Sequence, residues 1–568
     1  MKKILIITGI IFIILSGCKK YLDKQNLAEP SATTFLSNAA EVDFALTGVY
    51  SSSYWTEANL PIQCRFDTYT DIGVERGSGF AGGTFDAANG TILNYYTYMY
   101  RTISRANVML SGMVRAQSSI PEAQYTKFVA EAKVLRAWSY YHLIGLFGDV
   151  VYYTKPLEPS EYYTLTRTAR AKIIDSLIID MDDAAAKLDW QPTARGRVSK
   201  AVALGIKAKL AILDNRYQIA ADATNTIITS GQYNLNPSFV NLFTRAGQAT
   251  NANKEIMYEM IYPTVEVNQV SYINLGQGSR TLSAQSGRFP IQALVDRYEC
   301  TDGKRIDESP LYNPAAPSKN RDSRLKVTIA LHGDTIGATL FGTRRRCVFN
   351  IYDAATPVSV NGGAFASSTN IDLTNAFGPV LNGMGTLWNK YGNDELDDMA
   401  TAKTSFIYMR YAEILLLYAE AKIELNQLDA SVITAMNKVR NRAAMPNVNI
   451  AIVNDQNKLR QLLRREKIVE FANEGLHLFD MRRWNTGNAA LNTLVYGCTK
   501  VQATPAANPT FGTPGSLNDL NDIPDYTASA AQRFKREQRF FTAPKFNIWP
   551  IPQRERDINP LITQNEGW

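Results

Sequence analysis

The feature that most constrains the fold is a set of apolar residues that repeat at helical spacing and are separated by short polar links. In residues 169–188 the apolar positions follow the i, i+3, i+4, i+7 pattern of an amphipathic helix. Similar patterns predict further helices over residues 41–54, 95–114, 121–148, 199–213 and 217–230. Because closely linked helices lie as antiparallel neighbours, this part of the chain predicts helices packed in pairs.

The pattern changes between about residues 231 and 404. This stretch is punctuated by Gly, Asn, Pro, Ser and Thr and holds short apolar runs such as Leu325–Leu331, which predict loops with a few small strands. Helical patterns resume over residues 407–425, 430–443 and 457–484. We therefore expect a mainly α, helical-repeat fold with three regions: helix pairs in 31–230, an inserted loop-rich subdomain containing short strands in 231–404, and a helical region with closing loops in 405–568.

The amino end carries a basic start and an apolar run of 12 residues, Ile4–Leu15. A helix needs about 20 apolar residues to span a bilayer, so this run is too short to cross one. The run is followed by Ser16-Gly17-Cys18, and a cysteine in this place resembles the acylation site of a bacterial lipoprotein signal. We expect residues 1–17 to be a cleaved signal peptide, Cys18 to be the lipidated first residue, and residues 18–30 to be a tether. An uncleaved helix beside a chance cysteine is the alternative.

Composition indicates an ordinary globular body after the amino-terminal segment. Hydrophobic residues make up 45% and charged residues 20% of the chain, which are near the usual values for folded domains. The net charge of +7 is spread along the chain, and the basic clusters at 344–346 and 482–483 are too small for a nucleic-acid surface. The 29 Tyr, 23 Phe and 7 Trp make the chain rich in flat amphipathic side chains, some for the core and others to face a ligand.

No motif for a cofactor, a metal or covalent catalysis is complete in the sequence. Residues 77–82 match G-x-G-x-x-G, but they lack the buried strand and the helix that give this motif its function. The three histidines and the scattered cysteines lack metal-ligand spacing, and for the Asn and Asp residues at 518–525 a solvated turn is favoured over a calcium site. We expect no cofactor and no metal, while a hydrolase whose two carboxylates meet only in space stays open.

Six sequence blocks along the chain are similar to those of one known family. They are Ile103–Asn107, Glu131–Asp149, Gly196–Lys200, Arg410–Ala421, Arg464–Trp484 and Ile551–Asn565. Together with the lipoprotein signal, these blocks resemble the SusD/RagB family of outer-membrane nutrient-binding lipoproteins.

The resemblance implies a tetratricopeptide-like scaffold with an inserted subdomain, in a surface-exposed protein that is lipid-anchored to the outer membrane. Such proteins do no covalent chemistry. They capture oligosaccharides, or sometimes peptides, and sit as a lid on a SusC-like TonB-dependent transporter. A surface-anchored glycoside hydrolase and a peptide-binding structural partner of a transporter are the alternatives.

The resemblance places the ligand site only by region, in the loop before residue 103 and in the inserted subdomain. From these regions we predict ligand contacts by Asp71, Arg76, Phe80, Tyr95, Tyr272 and Trp388. The pair Lys390-Tyr391 is expected to be structural. The charged residues of the family blocks are expected to form scaffold ion pairs rather than ligand contacts, namely Glu131, Arg136, Glu420, Arg465, Glu466 and Asp480.

Overall fold

The structure describes most of the chain after residue 34. The computed structural model describes residues 35–77, 80–251, 254–262, 270–314, 316–353, 369–375, 378–392, 394–499, 517 and 521–568. The predicted signal peptide, Cys18 and the tether lie outside the described residues. Within that part of the chain, no helix is both long enough and apolar enough to cross a membrane.

Six of the seven amino-terminal helices that the structure describes correspond to predicted ones, whereas the short helix α2 was not predicted. Asn38 caps the first of them, because its side-chain oxygen accepts a hydrogen bond from the backbone N–H of Glu41 at 3.1 Å. The helices are α1 (Ala39–Ser53), α2 (Gln63–Phe66), α3 (Gly90–Gly112), α4 (Glu122–Phe147), α5 (Arg170–Lys187), α6 (Lys200–Leu213) and α7 (Tyr217–Thr229). From α3 to α7, each helix packs against the next one, as their short links require.

The inserted region contains short helices and strands between its loops. Its helices are α8 (Arg245–Thr250), α9 (Ile273–Gln277), α10 (Gln292–Arg297), α11 (Arg324–Thr328) and α12 (Ile371–Thr374). The strands of the described chain are β1 (Thr56–Glu57), β2 (Leu60–Pro61), β3 (Gly73–Glu75), β4 (Ile256–Met260), β5 (Arg288–Pro290), β6 (Ile329–Ala330), β7 (Thr335–Leu340), β8 (Thr343–Val348), β9 (Leu387–Trp388), β10 (Phe406–Arg410), β11 (Leu494–Thr499) and β12 (Arg533–Gln538). They form antiparallel pairs: β1 with β2, β3 with β5, β4 with β10, β6 with β9, β7 with β8, and β11 with β12.

The helices after the insertion join the same scaffold. They are α13 (Tyr411–Glu424), α14 (Ala430–Arg442), α15 (Gln456–Phe471), α16 (His477–Arg483), α17 (Gly487–Leu491) and α18 (Gln553–Ile558). Helix α13 packs directly against α7, and buried alanines such as Ala220, Ala223 and Ala421 lie in this region of the core. Small side chains let the helix axes approach closely, so the two helical regions form one core. The predicted mainly α, tetratricopeptide-like scaffold with a loop-rich insertion is confirmed.

Two predicted helices differ from the structure. The helix predicted from residue 407 begins at Tyr411, because Phe406–Arg410 form strand β10, which pairs with β4 and is buried along its whole length. A fully buried strand shows a continuous apolar run, which periodicity does not distinguish from a buried helix. The helix predicted over 457–484 is two helices, since the left-handed backbone angles of Asn473 (φ 66°) and Gly475 (φ 77°) separate α15 from α16.

The charged residues of the family blocks form buried ion pairs, which confirms the scaffold role predicted for them. Arg410 Nε lies 2.8 Å from the carboxylate of Glu474, and Lys390 Nζ lies 2.8 Å from the same carboxylate. The predicted residues pair as Glu131 with Arg197, Arg136 with Asp180, Glu420 with Lys467, Arg465 with Asp522, Glu466 with Arg440, and Asp480 with Lys467. Removing one partner of a buried pair leaves the other charge buried without a partner. This typically lowers the stability of the protein by about 3 to 5 kcal/mol.

The last 20 or so residues fold back onto the amino-terminal helices. The backbone N–H of Trp549 donates to the carbonyl of Leu146 at 2.7 Å. Asn565 Nδ2 donates to the carbonyl of Phe147 at 2.8 Å. The indole of Trp549 is buried in the main core. The carboxyl-terminal segment therefore covers the end of α4 and completes the core there.

Candidate functional site

The structure brings the two regions predicted to hold the ligand site next to each other. Strand β3, in the stretch predicted to be a loop, pairs with β5 of the inserted region, with Val74 opposite Phe289. The backbone N–H of Arg76 extends this contact by donating to the carbonyl of Gly287 at 3.0 Å. Asp71, just before β3, therefore faces side chains that lie more than 200 residues later in the chain.

A cavity of about 250 Å³ lies beside Asp71, and we call it the Asp71 cavity. Three segments form its walls: residues 291–297, the turn and strand at 493–496, and the loop at 523–527. Its polar and aromatic side chains are Asp71, Arg297, Thr493, Tyr496, Asp525, Tyr526, Thr527 and Arg539. Thr527 and Asp525 are exposed at its mouth, whereas Asp71, Arg297 and Arg539 are buried.

Asp71 is held in place from two sides. One carboxylate oxygen accepts a hydrogen bond from Nε2 of His477 at 2.7 Å, and the other forms an ion pair with Arg297. Burial alone would raise the pKa of Asp71, but the neighbouring Arg297 and His477 outweigh burial and hold it well below its usual range. Asp71 is therefore a fixed anion in the cavity wall at neutral pH.

The cavity wall also contains aromatic rings and a second buried guanidinium, that of Arg539. The rings of Tyr496 and Tyr526 lie 5.4 Å apart between centroids, and the hydroxyl of Tyr526 donates to Asp296 at 2.6 Å. Arg539 donates to the carbonyl oxygen of Gly73 at 2.8 Å, which ties this wall to β3. Aromatic faces with a few fixed polar groups are the usual means of holding and orienting a small polar ligand.

The other predicted contacts occupy different surroundings. Arg76 is partly exposed and donates to the carbonyl of Gln285 at 3.1 Å. Phe80 is half-buried and stacks on Tyr69, with 4.6 Å between ring centroids. Tyr272 is half-buried against the main core.

Two of the predicted rings are core residues and offer no open face in this structure. Tyr95 is fully buried on α3 and contacts Phe66 edge-to-face, with 6.0 Å between ring centroids. Trp388 is buried in β9, where it pairs with Ile329. Their positions on a helix face and in a strand, rather than in loops, explain why these aromatic residues fill the core.

Sequence reasoning missed most of the residues that share a cavity with Asp71. Arg297 and Arg539 stand in runs with no recognisable motif, and Tyr526 follows a polar tract predicted to be a turn. Each comes near Asp71 only through tertiary contacts across more than 200 residues. No local pattern in the sequence could have assigned them to one site.

Comparison with known families decides the identity of the chain. The model of the SusD family matches residues 217–568, more than half of the chain. The chain belongs to the SusD family. A second family model, described as starch-binding associating with outer membrane, matches residues 20–212, so SusD-type sequence extends over both helical regions.

Individual relatives of this SusD-family chain are similar over nearly their whole length. SusD-like protein P2 of Formosa agariphila is 24% identical over 518 residues, which cover 86% of this chain and 92% of that protein. The crystal structure of a SusD-like carbohydrate-binding protein of Bacteroides fragilis has a TM-score of 0.75 and 25% identity, and covers 93% of this chain and 100% of that one. Surface glycan-binding protein A of Bacteroides uniformis shares the fold, with a TM-score of 0.63 and 18% identity over 93% of this chain and 99% of that one.

Proposed function

We propose that this SusD-family protein is a non-enzymatic lipoprotein of the outer membrane that captures oligosaccharides and passes them to a SusC-like TonB-dependent transporter. The observation that carries the binding role is the Asp71 cavity, in which the Tyr496 and Tyr526 rings stand near the fixed charges of Asp71 and Arg297. Rings can cover the C–H faces of a sugar, and fixed charges can orient its hydroxyls. A carbohydrate-binding relative of the same fold supports the choice of ligand class.

The carboxylates of the cavity support binding rather than hydrolysis. A glycoside hydrolase needs a carboxylic acid whose pKa is raised so that it can protonate the leaving oxygen. The pKa of Asp71 is held low by Arg297 and His477 against the effect of burial. Hydrogen bonds from the hydroxyl and the backbone N–H of Thr527 lower the pKa of Asp525 as well. Neither Asp71 nor Asp525 therefore has the raised pKa that a general acid requires.

The affinity should be modest. Each sugar hydroxyl exchanges bonds with water for bonds with the protein, at a net gain of about 1 kcal/mol. A dissociation constant of roughly 1 μM to 1 mM allows capture followed by release to a transporter.

The test is calorimetric titration of the mature protein with soluble malto- and laminari-oligosaccharides and with a peptide mixture. We expect saturable binding of an oligosaccharide, and Tyr496→Ala should weaken it about tenfold or more because one ring is lost. Tyr163→Ala is the matched control, because that ring is 60% exposed and lies outside the Asp71 cavity. Binding of peptides alone, or release of shorter sugars during the titration, would contradict the proposal.

The anchor and the transporter need a separate test in cells. Cys18→Ala should abolish detergent partitioning of the protein, because the acyl chains have no other attachment site in the predicted signal. Cys300→Ala, which changes a buried thiol, should stay membrane-bound. Affinity capture of the wild-type lipoprotein should recover a large β-barrel transporter. Membrane association of Cys18→Ala after signal removal, or normal uptake in cells lacking the protein at limiting ligand, would count against this part of the proposal.

A further inference from the structure

A second cavity, of about 310 Å³, lies between α3, the loop of residues 151–165 and α18. We call it the Glu555 cavity. It shares no lining residue with the Asp71 cavity. Four tyrosines line it, namely Tyr96, Tyr100, Tyr153 and Tyr162.

Three of the four tyrosines, Tyr96, Tyr100 and Tyr153, are held in place by contacts with neighbouring residues. Tyr100 and Tyr153 lie nearly parallel, with an interplanar angle of 4° and 6.0 Å between centroids, and Tyr96 lies 4.7 Å from Tyr100. The hydroxyl of Tyr100 donates to the carbonyl of Val151 at 2.7 Å. Hydrogen bonds between the hydroxyl of Tyr140 and the backbone of Tyr153, at 3.0 Å, fix the second ring's backbone. The cavity therefore has preformed aromatic walls.

One acidic side chain, Glu555, lines this aromatic space. Its carboxylate is half-buried and forms no hydrogen bond or ion pair with any residue that the structure describes. Burial raises the pKa of Glu555, and Arg554 only partly offsets that effect. Arg101 lines the cavity from an exposed position on α3, where its guanidinium lies 5.4 Å from the centre of the Tyr98 ring.

An unpaired, partly desolvated carboxylate beside aromatic faces is complementary to a positive charge. The face of a tyrosine ring attracts a cation through its quadrupole, and the attraction grows when water is excluded. A neutral ligand would leave the charge of Glu555 uncompensated, and an anion would be repelled by it.

We propose that the Glu555 cavity binds a small organic ammonium cation, with the rings of Tyr100, Tyr153 and Tyr162 beside the cationic head and Glu555 as its counter-charge. Its volume admits a ligand of that size, and it lies open to solvent beside the exposed ring of Tyr162. Binding here and oligosaccharide binding in the Asp71 cavity are separable, because the two cavities have different walls.

The test compares two probes of the same shape in calorimetric titrations of the full mature protein. Choline carries a quaternary ammonium, and 3,3-dimethylbutan-1-ol is its neutral counterpart. We expect saturable binding of choline, with the neutral probe weaker by about tenfold or more. Equal affinity for the two probes, or no saturable choline binding at millimolar concentration, would overturn the proposal.

Three variants locate the binding. Glu555→Gln should lower choline affinity about tenfold or more, and Asp557→Asn should leave it unchanged. Asp557 is the matched control because it lies on the same helix, is exposed, and is bound by Gln553 at 2.6 Å outside the cavity. Tyr162→Ala removes a ring that is 44% exposed, so it should weaken choline binding without loss of fold even if the Glu555 variant misfolds. Choline affinity unchanged in both Glu555→Gln and Tyr162→Ala would show that the cation binds elsewhere.

Discussion

Arg297 and Asp71 form a buried ion pair although 226 residues separate them in the sequence. Arg297 lies on α10 of the inserted region, and Asp71 lies just before β3 of the amino-terminal region. A second guanidinium N–H of Arg297 donates to the backbone carbonyl of Asp71 at 3.2 Å. The pair thus links two regions of the chain at the wall of the Asp71 cavity.

Asp71→Asn should destabilise the protein by about 3 kcal/mol or more, because it leaves the charge of Arg297 buried without its partner. Urea unfolding measures the change. The matched control is Lys155→Met, which breaks the exposed pair with Glu161 and should leave the free energy of unfolding nearly unchanged. Equal effects of the two substitutions would mean that the Asp71 pair adds nothing beyond a surface contact.

Gly475→Ala should lower the free energy of unfolding by about 2 kcal/mol or more. Gly475 has a φ of 77°, and an added Cβ would press against the backbone carbonyl of Gln63. Gly90→Ala, at the start of α3, is the control, because a Cβ there meets nothing within 4 Å and the backbone is helical. Thermal unfolding compares the melting temperatures of the two variants with that of the wild type. An unchanged melting temperature for Gly475→Ala would contradict the steric explanation.

Asp67 should make stability depend on pH in the mildly acidic range. Its Oδ2 accepts the backbone N–H groups of Asn473 at 2.7 Å and Gly475 at 3.2 Å, yet burial raises its pKa to about 6. The folded state then binds the proton more tightly than the unfolded state, so this group's contribution to stability falls as pH rises from about 4 through 6.

The measurement is the difference in unfolding free energy between wild type and Asp67→Asn across pH 4 to 7. Relative to the variant, the wild type should lose about 2 to 3 kcal/mol over that range, since each pKa unit corresponds to about 1.4 kcal/mol. A difference that is flat with pH, or that rises, would show that the pKa of Asp67 is not raised in the folded protein.

The cysteines of the folded body should resist alkylation. Cys64, Cys300, Cys347 and Cys498 are buried and unpaired, and burial raises the pKa of Cys64, Cys347 and Cys498 to about 12. Only a thiolate reacts rapidly, so native Cys18→Ala protein should take up little iodoacetamide at pH 8. Unfolding without a reductant should expose four reactive thiols by mass spectrometry. Detection of only two reactive thiols, or of none, would reveal disulfides.

Much of the helical scaffold is predictable from sequence, because an amphipathic helix carries its own periodic pattern. The predicted helix over 169–188 matches α5 (Arg170–Lys187) to within a residue at each end. Strand β10 was not predictable, since its partner β4 lies about 150 residues earlier and both strands are buried. Pairing over such a distance leaves no local pattern in the sequence.

The site was less predictable than the scaffold. Asp71 was placed by resemblance and lines a cavity, whereas Tyr95 and Trp388 proved to be core rings. An aromatic side chain is equally suited to a core and to a sugar face, so residue type alone does not separate the two roles. What distinguishes Tyr496 is its place beside Asp71, which only the fold determines.

The contact of the carboxyl-terminal segment with α4 determines when the core at the end of α4 can be completed. Asn565 and Phe147 are in contact although they are 418 positions apart in the sequence. At about 5 to 20 residues per second, a ribosome needs roughly 20 to 80 s to make the intervening chain. The end of α4 therefore stays uncovered for that time, and this part of the core is completed only after Asn565 has been synthesised.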